Sequence, residues 1–212
     1  MSSLIFHTQP DMAFVATDTL AVDESGTPLN WTTKAIHIPH MRMIVAGTGL
    51  AGICSAWFSI INERMAVRGI ESLNKFAQGQ LKSLYNRCLE EIGFPQGITT
   101  TIYHFGFSED TNQVVAFAYR STNDFRSERL GYGMHAKPAC NFETEAEFPL
   151  SIIEMMKSQR ELEAAKPASE RLHIGGEIQV LHMTPQGTNS VCMYRFDDAD
   201  AMDTVIRRNA GT

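Results

Sequence analysis

Strand-like and helix-like segments of this chain fall in separate blocks, and that order constrains the fold more than any single motif does. The first block reads as strands. Leu4-Ile5-Phe6 and Met12-Ala13-Phe14-Val15-Ala16 are apolar runs separated by the turn formers Gln9-Pro10-Asp11, which predicts a hairpin at the start. A second turn cluster, Asp23 to Pro28, precedes strand-like sequence at Lys34 to Ile38 and Arg42 to Ala46, with Pro39-His40 between them. Gly47-Thr48-Gly49 then opens a segment in which Leu50, Ile53, Cys54, Trp57 and Ile60-Ile61 recur at helical spacing, predicting a helix over roughly 50–67.

A second helix follows, with Leu73, Phe76, Leu81, Leu84-Tyr85 and Leu89 expected on its buried face and a stop at Gly93-Phe94-Pro95. Strands are expected at Thr99 to Phe107 and Gln113 to Arg120, then a third helix at Pro149 to Ala164 that buries Ile152, Ile153, Met156 and Leu162. Gly175-Gly176 introduces strands at Glu177 to Met183 and Ser190 to Phe196. Segregated blocks predict an α+β domain with layered, mainly antiparallel sheets rather than a Rossmann-like alternation. A length of 212 residues with 43% apolar content fits one domain, 1–212, with a substantial core.

Composition narrows the function. No apolar run approaches the roughly 18 residues of a membrane span, and the first residues lack the basic start and apolar stretch of a signal peptide, so a cytoplasmic protein without a membrane partner is expected. Cys54, Cys88, Cys140 and Cys192 form no C-x-x-C pair, which argues against a zinc knuckle, a redox motif or a disulfide framework. His37-x-x-His40 has no carboxylate or cysteine near it in the sequence and reads as loop histidines, so neither metal nor organic cofactor is expected. Met41, Met43 and Met155-Met156 read as core filler. A formal charge of -6 with scattered Lys and Arg offers no basic stripe for nucleic acid.

Asp18 interrupts an otherwise apolar strand, where an unpaired carboxylate would be expensive, so it needs a partner. If the first hairpin turns about Pro10, Ser2 faces Asp18, and the same counting about Gly26 returns Lys34 to the level of Asp18. An N-terminal serine, an acid and a lysine then converge. A serine hydroxyl needs a base, and a free α-amino group, with an ordinary pKa of about 7.7 to 8.0, serves near neutral pH.

Ser2-Ser3-Leu4-Ile5, Ala16-Thr17-Asp18-Thr19, Lys34 and the run Val45-Ala46-Gly47-Thr48-Gly49 resemble, in type and spacing, the proteasome β-subunit family and its bacterial heat-shock relatives. Gly175-Gly176 before a strand also matches that family. The resemblance implies the four-layer αββα sandwich of N-terminal-nucleophile (Ntn) hydrolases, with Ser2 standing where threonine is usual. It implies that Ser2, freed by removal of Met1, is the nucleophile and that Asp18 and Lys34 support it. It further implies that Gly49, after a one-residue insertion, supplies the oxyanion amide. Peptide or amide substrates and a homo-oligomeric, ring-like assembly follow from the same resemblance. Protein substrates would need a separate ATP-driven unfoldase, because the chain has no G-x-x-x-x-G-K-[ST] loop.

Two departures stand out. The family's supporting aspartate and serine before the double glycine fall on Arg171 and Ile174, and Gly131 to Phe148 is too short and polar for the helix usual there. A small-molecule amide acylase and a catalytically silent assembly or binding subunit therefore stay open, and Arg171 and Ile174 favour the second. Small residues expected near the pocket, Ala21, Ala35 and Ala51, do not choose between peptide and small-molecule amide substrates. In the silent subunit Ser2 is an ordinary terminal residue, Asp18 with Lys34 a structural ion pair, and Gly49 a turn glycine.

Overall fold

The computed structural model describes residues 3–64, 66–92, 99–141, 143 and 145–211. Met1, Ser2 and the expected helix stop at Gly93-Phe94-Pro95 lie outside them. The first part of the chain forms β1 (Leu4–Gln9), β2 (Met12–Asp18), β3 (Leu20–Val22), β4 (Pro28–Trp31), β5 (Ala35–Ile38), β6 (Met43–Thr48), α1 (Ala51–Arg64) and α2 (Ile70–Ile92). The rest forms β7 (Thr101–Phe107), β8 (Val114–Arg120), β9 (Ser127–Leu130), β10 (Gly133–Lys137), α3 (Ser151–Ala164), β11 (Glu177–Thr184), β12 (Gly187–Arg195) and α4 (Ala199–Ala210).

This is a mixed α+β protein with four α-helices and three antiparallel sheets among the described residues. One five-stranded sheet runs β10-β1-β2-β11-β12 and so draws on both ends of the chain; the other is the meander β5-β6-β7-β8-β9. The pair β3-β4 stands apart. None of the described helices is long and apolar enough to cross a membrane.

Three apolar clusters explain why the strands read as unbroken apolar runs. Leu4 and Phe6 of β1 join Val15, Ile44 and Phe105 between the two large sheets, whereas Ile5 points the other way to Ile152 and Met156 of α3. Leu4, Ile5 and Phe6 thus alternate between two apolar environments, which is why both faces of this part of β1 are apolar. The outer face of the meander is covered by α1 and α2, where Trp57, Leu73 and Leu81 meet Val45 and Phe117.

The helix faces differ in part from expectation. Phe76 is 54% exposed, because α2 buries the stripe Leu73, Ala77, Leu81 and Leu84 and turns Phe76 away from it. Leu162 is likewise 51% exposed, since α3 buries Ile152, Met155, Met156, Gln159 and Glu163, a narrower stripe that bypasses it. Helix α1 stops at Arg64, short of the expected end, and α3 begins at Ser151 rather than Pro149. Strands β3, β4, β9 and β10 and helix α4 were not among the sequence expectations. Helix α4 is tied to β4 by Trp31 Nε1, which donates to Asp203 Oδ1 at 3.1 Å.

Glu109, in the loop between β7 and β8, caps α2 from outside the helix. Its two carboxylate oxygens accept the Glu71 N–H at 3.0 Å and the Ser72 N–H at 2.7 Å. Burial works to raise this carboxyl, but hydrogen bonds from Ser72 and Glu71 outweigh it and hold the group down from 4.5 to about 2. A folded-state value below the unfolded one adds stability that is present above pH 4.5 and is lost as pH falls towards about 2. We expect Glu109→Ala to cost about 1 kcal/mol at neutral pH. The gap to wild type should close across that acid window, read from denaturant midpoints of the two proteins.

Candidate functional site

Gln9 pairs with Met12, so the first hairpin turns between Pro10 and Asp11 rather than about Pro10. That half-step shifts every cross-strand partner by one residue. Leu4 faces Thr17, and the residue brought to Asp18 is Ser3, whose N–H donates to Asp18 Oδ1 at 2.9 Å. The expected pairing of Ser2 with Asp18 is thereby corrected, and Ser2 itself lies outside the described residues.

Asp18 is fully buried and saturated with donors. Lys34 Nζ reaches the same Oδ1 at 2.8 Å, while Oδ2 accepts the Gly175 N–H at 3.2 Å. Lys34, only 8% exposed, gives a second hydrogen bond to the Leu20 carbonyl at 2.7 Å. The local fold delivers Lys34 there. Thr32 N–H bonds to Thr19 O at 2.8 Å as the chain returns from β3-β4, and Gly47 N–H bonds to Lys34 O at 3.1 Å as β6 begins to leave the site. A buried ion pair persists only when its remaining lone pairs and protons are also bonded, and here the backbone supplies those partners.

The double glycine holds the acid from the far side. Besides the Gly175 N–H on Asp18, the Gly175 carbonyl accepts the N–H groups of Thr19 at 3.3 Å and Leu20 at 3.2 Å. Gly176 has φ of 77°, and a Cβ there would lie 2.4 Å from Thr19 Oγ1 and 2.6 Å from the Trp31 ring, so no side chain fits. In the sequence this pair read as the lead into a strand and as one more point of the resemblance, with no contact to Asp18 foreseen.

Beside Lys34 lies a cleft of about 680 Å³ that is also lined by Gly47, Thr48 and Gly49. Gly49 has φ of 103°, and a Cβ would fall 2.1 Å from the Thr99 carbonyl, which makes glycine obligatory at the mouth of α1. Gly49 lies at the cleft and α1 starts two positions later, so the positive end of a helix adjoins the cleft. The buried Thr48 hydroxyl is without a partner among the described residues. Ala21 and Ala51 line the cleft as expected. Ala35 does not; it packs in the cluster between the two sheets. Burial pushes the Cys54 thiol in the cleft wall up to about 12, which leaves it protonated and a poor nucleophile.

The remaining expectations fall elsewhere. Arg171 donates to the carbonyls of Ala164 at 2.7 Å and Lys166 at 3.1 Å, closing the end of α3, and Ile174 is buried in the cluster beneath that helix. Neither is bonded to the Asp18–Lys34 pair. His37 Nε2 bonds with Thr188 Oγ1 at 3.0 Å, His40 is exposed, and no group of three metal-ligating side chains gathers among the described residues. Met41, Met43, Met155 and Met156 are all core residues. Sequence reasoning passed over Ser3 and Gln159, both fully buried, which bond to each other through Ser3 Oγ and Gln159 Oε1. A polar residue on the apolar stripe of α3 was the available signal for Gln159.

Asp18→Asn removes the charge opposite buried Lys34, and we expect a loss of about 3–5 kcal/mol in stability. Replacing both partners, as Asp18→Leu with Lys34→Met, should recover most of it; equilibrium denaturation of the three proteins checks both statements. No family model matches the chain, and no curated protein resembles it closely enough to count as a relative.

Proposed function

We propose that the chain is an amide- or peptide-bond hydrolase whose nucleophile is Ser2, exposed by removal of Met1, on a four-layer αββα fold of the N-terminal-nucleophile type. One observation carries this reading: the Asp18 carboxylate binds both the Lys34 ammonium and the backbone amide of Ser3, so a buried cation is coupled to the residue next to Ser2 beside a cleft. The order of the apolar clusters supports the fold, with α1 and α2 outside one sheet and α3 outside the other.

The chemistry follows from the residue types. The free α-amine of Ser2 takes the Oγ proton as Oγ attacks the substrate carbonyl carbon. The Lys34 charge favours the neutral amine and the developing alkoxide, and Asp18 holds Lys34 in place. The carbonyl oxygen becomes an oxyanion that accepts the Gly49 N–H, a donor whose loss typically slows such steps by about a hundred- to a thousandfold. Collapse of this intermediate breaks the C–N bond, and the leaving amine takes the proton from the α-ammonium. Water then attacks the Ser2 ester with the α-amine as base, which releases the acid and restores the site.

On this reading the chain assembles with copies of itself in the cytoplasm, and folded protein substrates reach it through a separate ATP-driven unfoldase. Apolar wall residues such as Leu20, Ile36 and Leu50 in the cleft favour an apolar side chain next to the scissile bond, in a peptide or in a small amide. The second reading, a silent subunit, draws on Arg171 and Ile174, which offer no proton relay where the resemblance calls for one.

The test is intact mass before and after phenylmethylsulfonyl fluoride. Attack by Ser2 Oγ forms an O–S bond and expels fluoride, while the α-amine takes the Oγ proton. Wild type should lose Met1 and gain one adduct; Ser2→Ala should gain none, and Lys34→Met should react about a hundredfold more slowly. Wild type with a free Ser2 amine and no adduct refutes the hydrolase and leaves the silent subunit.

A further inference from the structure

Gln159 is a fully buried amide on the apolar stripe of α3, shared with Met155, Met156 and Glu163. An amide in that setting is destabilising unless both of its ends are bonded, so its partners define what it does. Its Nε2 donates to the Pro138 carbonyl, which can only accept and therefore fixes which way the amide faces. Oε1 is left to accept the Ser3 hydroxyl. Ser3 has no exposed surface, and its N–H is already held by Asp18 Oδ1 at 2.9 Å. Residue 3 is gripped from two sides, by its amide through Asp18 and by its hydroxyl through Gln159.

We propose that Gln159 is a positioning residue which, by holding Ser3, governs the rate at which the adjoining Ser2 attacks; this rests on reading Ser2 as the nucleophile. A peptide unit bonded only through its N–H can still swing about that bond. The second hydrogen bond, on the side chain of the same residue, removes that freedom. Because α3 packs on the outer face of the sheet while Lys34 belongs to the stretch entering β5, the grip on Ser3 comes from a different part of the fold than the cation does. Gln159 acts at a distance from substrate, so its loss changes the rate of attack and leaves reagent affinity alone.

A purely structural role is separable from this. Removing Gln159 alone orphans both the buried Ser3 hydroxyl and the Pro138 carbonyl, whereas removing Ser3 Oγ as well leaves only that carbonyl without its donor and costs less. The experiment compares wild type, Gln159→Leu, Ser3→Ala and the double variant, each shown by intact mass to have lost Met1. For each, the rate of labelling by phenylmethylsulfonyl fluoride is measured against reagent concentration, giving a limiting rate and a half-saturating concentration, together with the Tm. We expect both single variants to fall about ten- to a hundredfold in limiting rate with half-saturation changed by less than about twofold. The double variant should melt above Gln159→Leu and still label as slowly as the singles. Recovery of the rate along with Tm in the double variant overturns the proposal, as does a single variant that labels at the wild-type rate. Ser3→Ala removes one oxygen atom and decides the matter alone if Gln159→Leu does not fold. An unlabelled wild type refutes the Ser2 reading instead, and does so before any variant is compared.

Discussion

A carboxylate without solvent contact sits at the end of β2, and the chain around it is arranged to make that tolerable. Asp18 is met by the Lys34 ammonium, by the amide of Ser3 and by the amide of Gly175, three donors drawn from the start, the first third and the last fifth of the sequence. Desolvating both ions would outweigh their mutual attraction if either lacked its other hydrogen bonds. The two tight glycines, the return of the chain through β3-β4 and the entry into β5 are all needed to bring those bonds to one point. The site is therefore a condition of the fold as much as a product of it.

The order in which the molecule can assemble reflects this. The meander β5-β6-β7-β8-β9 is built from strands that are neighbours in sequence, with α1 and α2 inserted between β6 and β7. The other sheet places the first hairpin between β10 and β11, contacts that span most of the chain and carry a larger loop-closure cost. Asp18 and Gly175 meet only when β11 has docked, so the ion pair is completed by the longest-range pairing of the structure.

Much of this was legible in the sequence, for physical reasons that also mark its limits. The first hairpin could be read because its turn residues sit between two apolar runs, and Asp18 could be paired with Lys34 because a carboxylate in an apolar strand demands a cation. The register was misread by one residue because a turn centred on Pro10 and one centred between Pro10 and Asp11 look alike until Gln9 is seen facing Met12. On α2, Phe76 outshone Ala77 as an apolar signal although the smaller residue holds the core position. Helix α4 was missed because its apolar residues, Met202, Val205 and Ile206, are few and only half buried, although Asp198 before it and Gly211 after it, at φ of 73°, mark both ends. No local pattern could show that β10 lies against β1, or that Gln159 of α3 answers Ser3.

The cap on α2 carries a consequence for how the molecule breathes. The first amides of that helix are closed by Glu109, which belongs to the connection between two strands buried along almost their whole length. Fraying of the helix start therefore cannot proceed on its own; the β7-β8 connection must let go as well. Amide protons of Glu71 and Ser72 should exchange with solvent in step with those of that hairpin, which makes helix and hairpin one cooperative unit although 30 or so residues separate them along the chain.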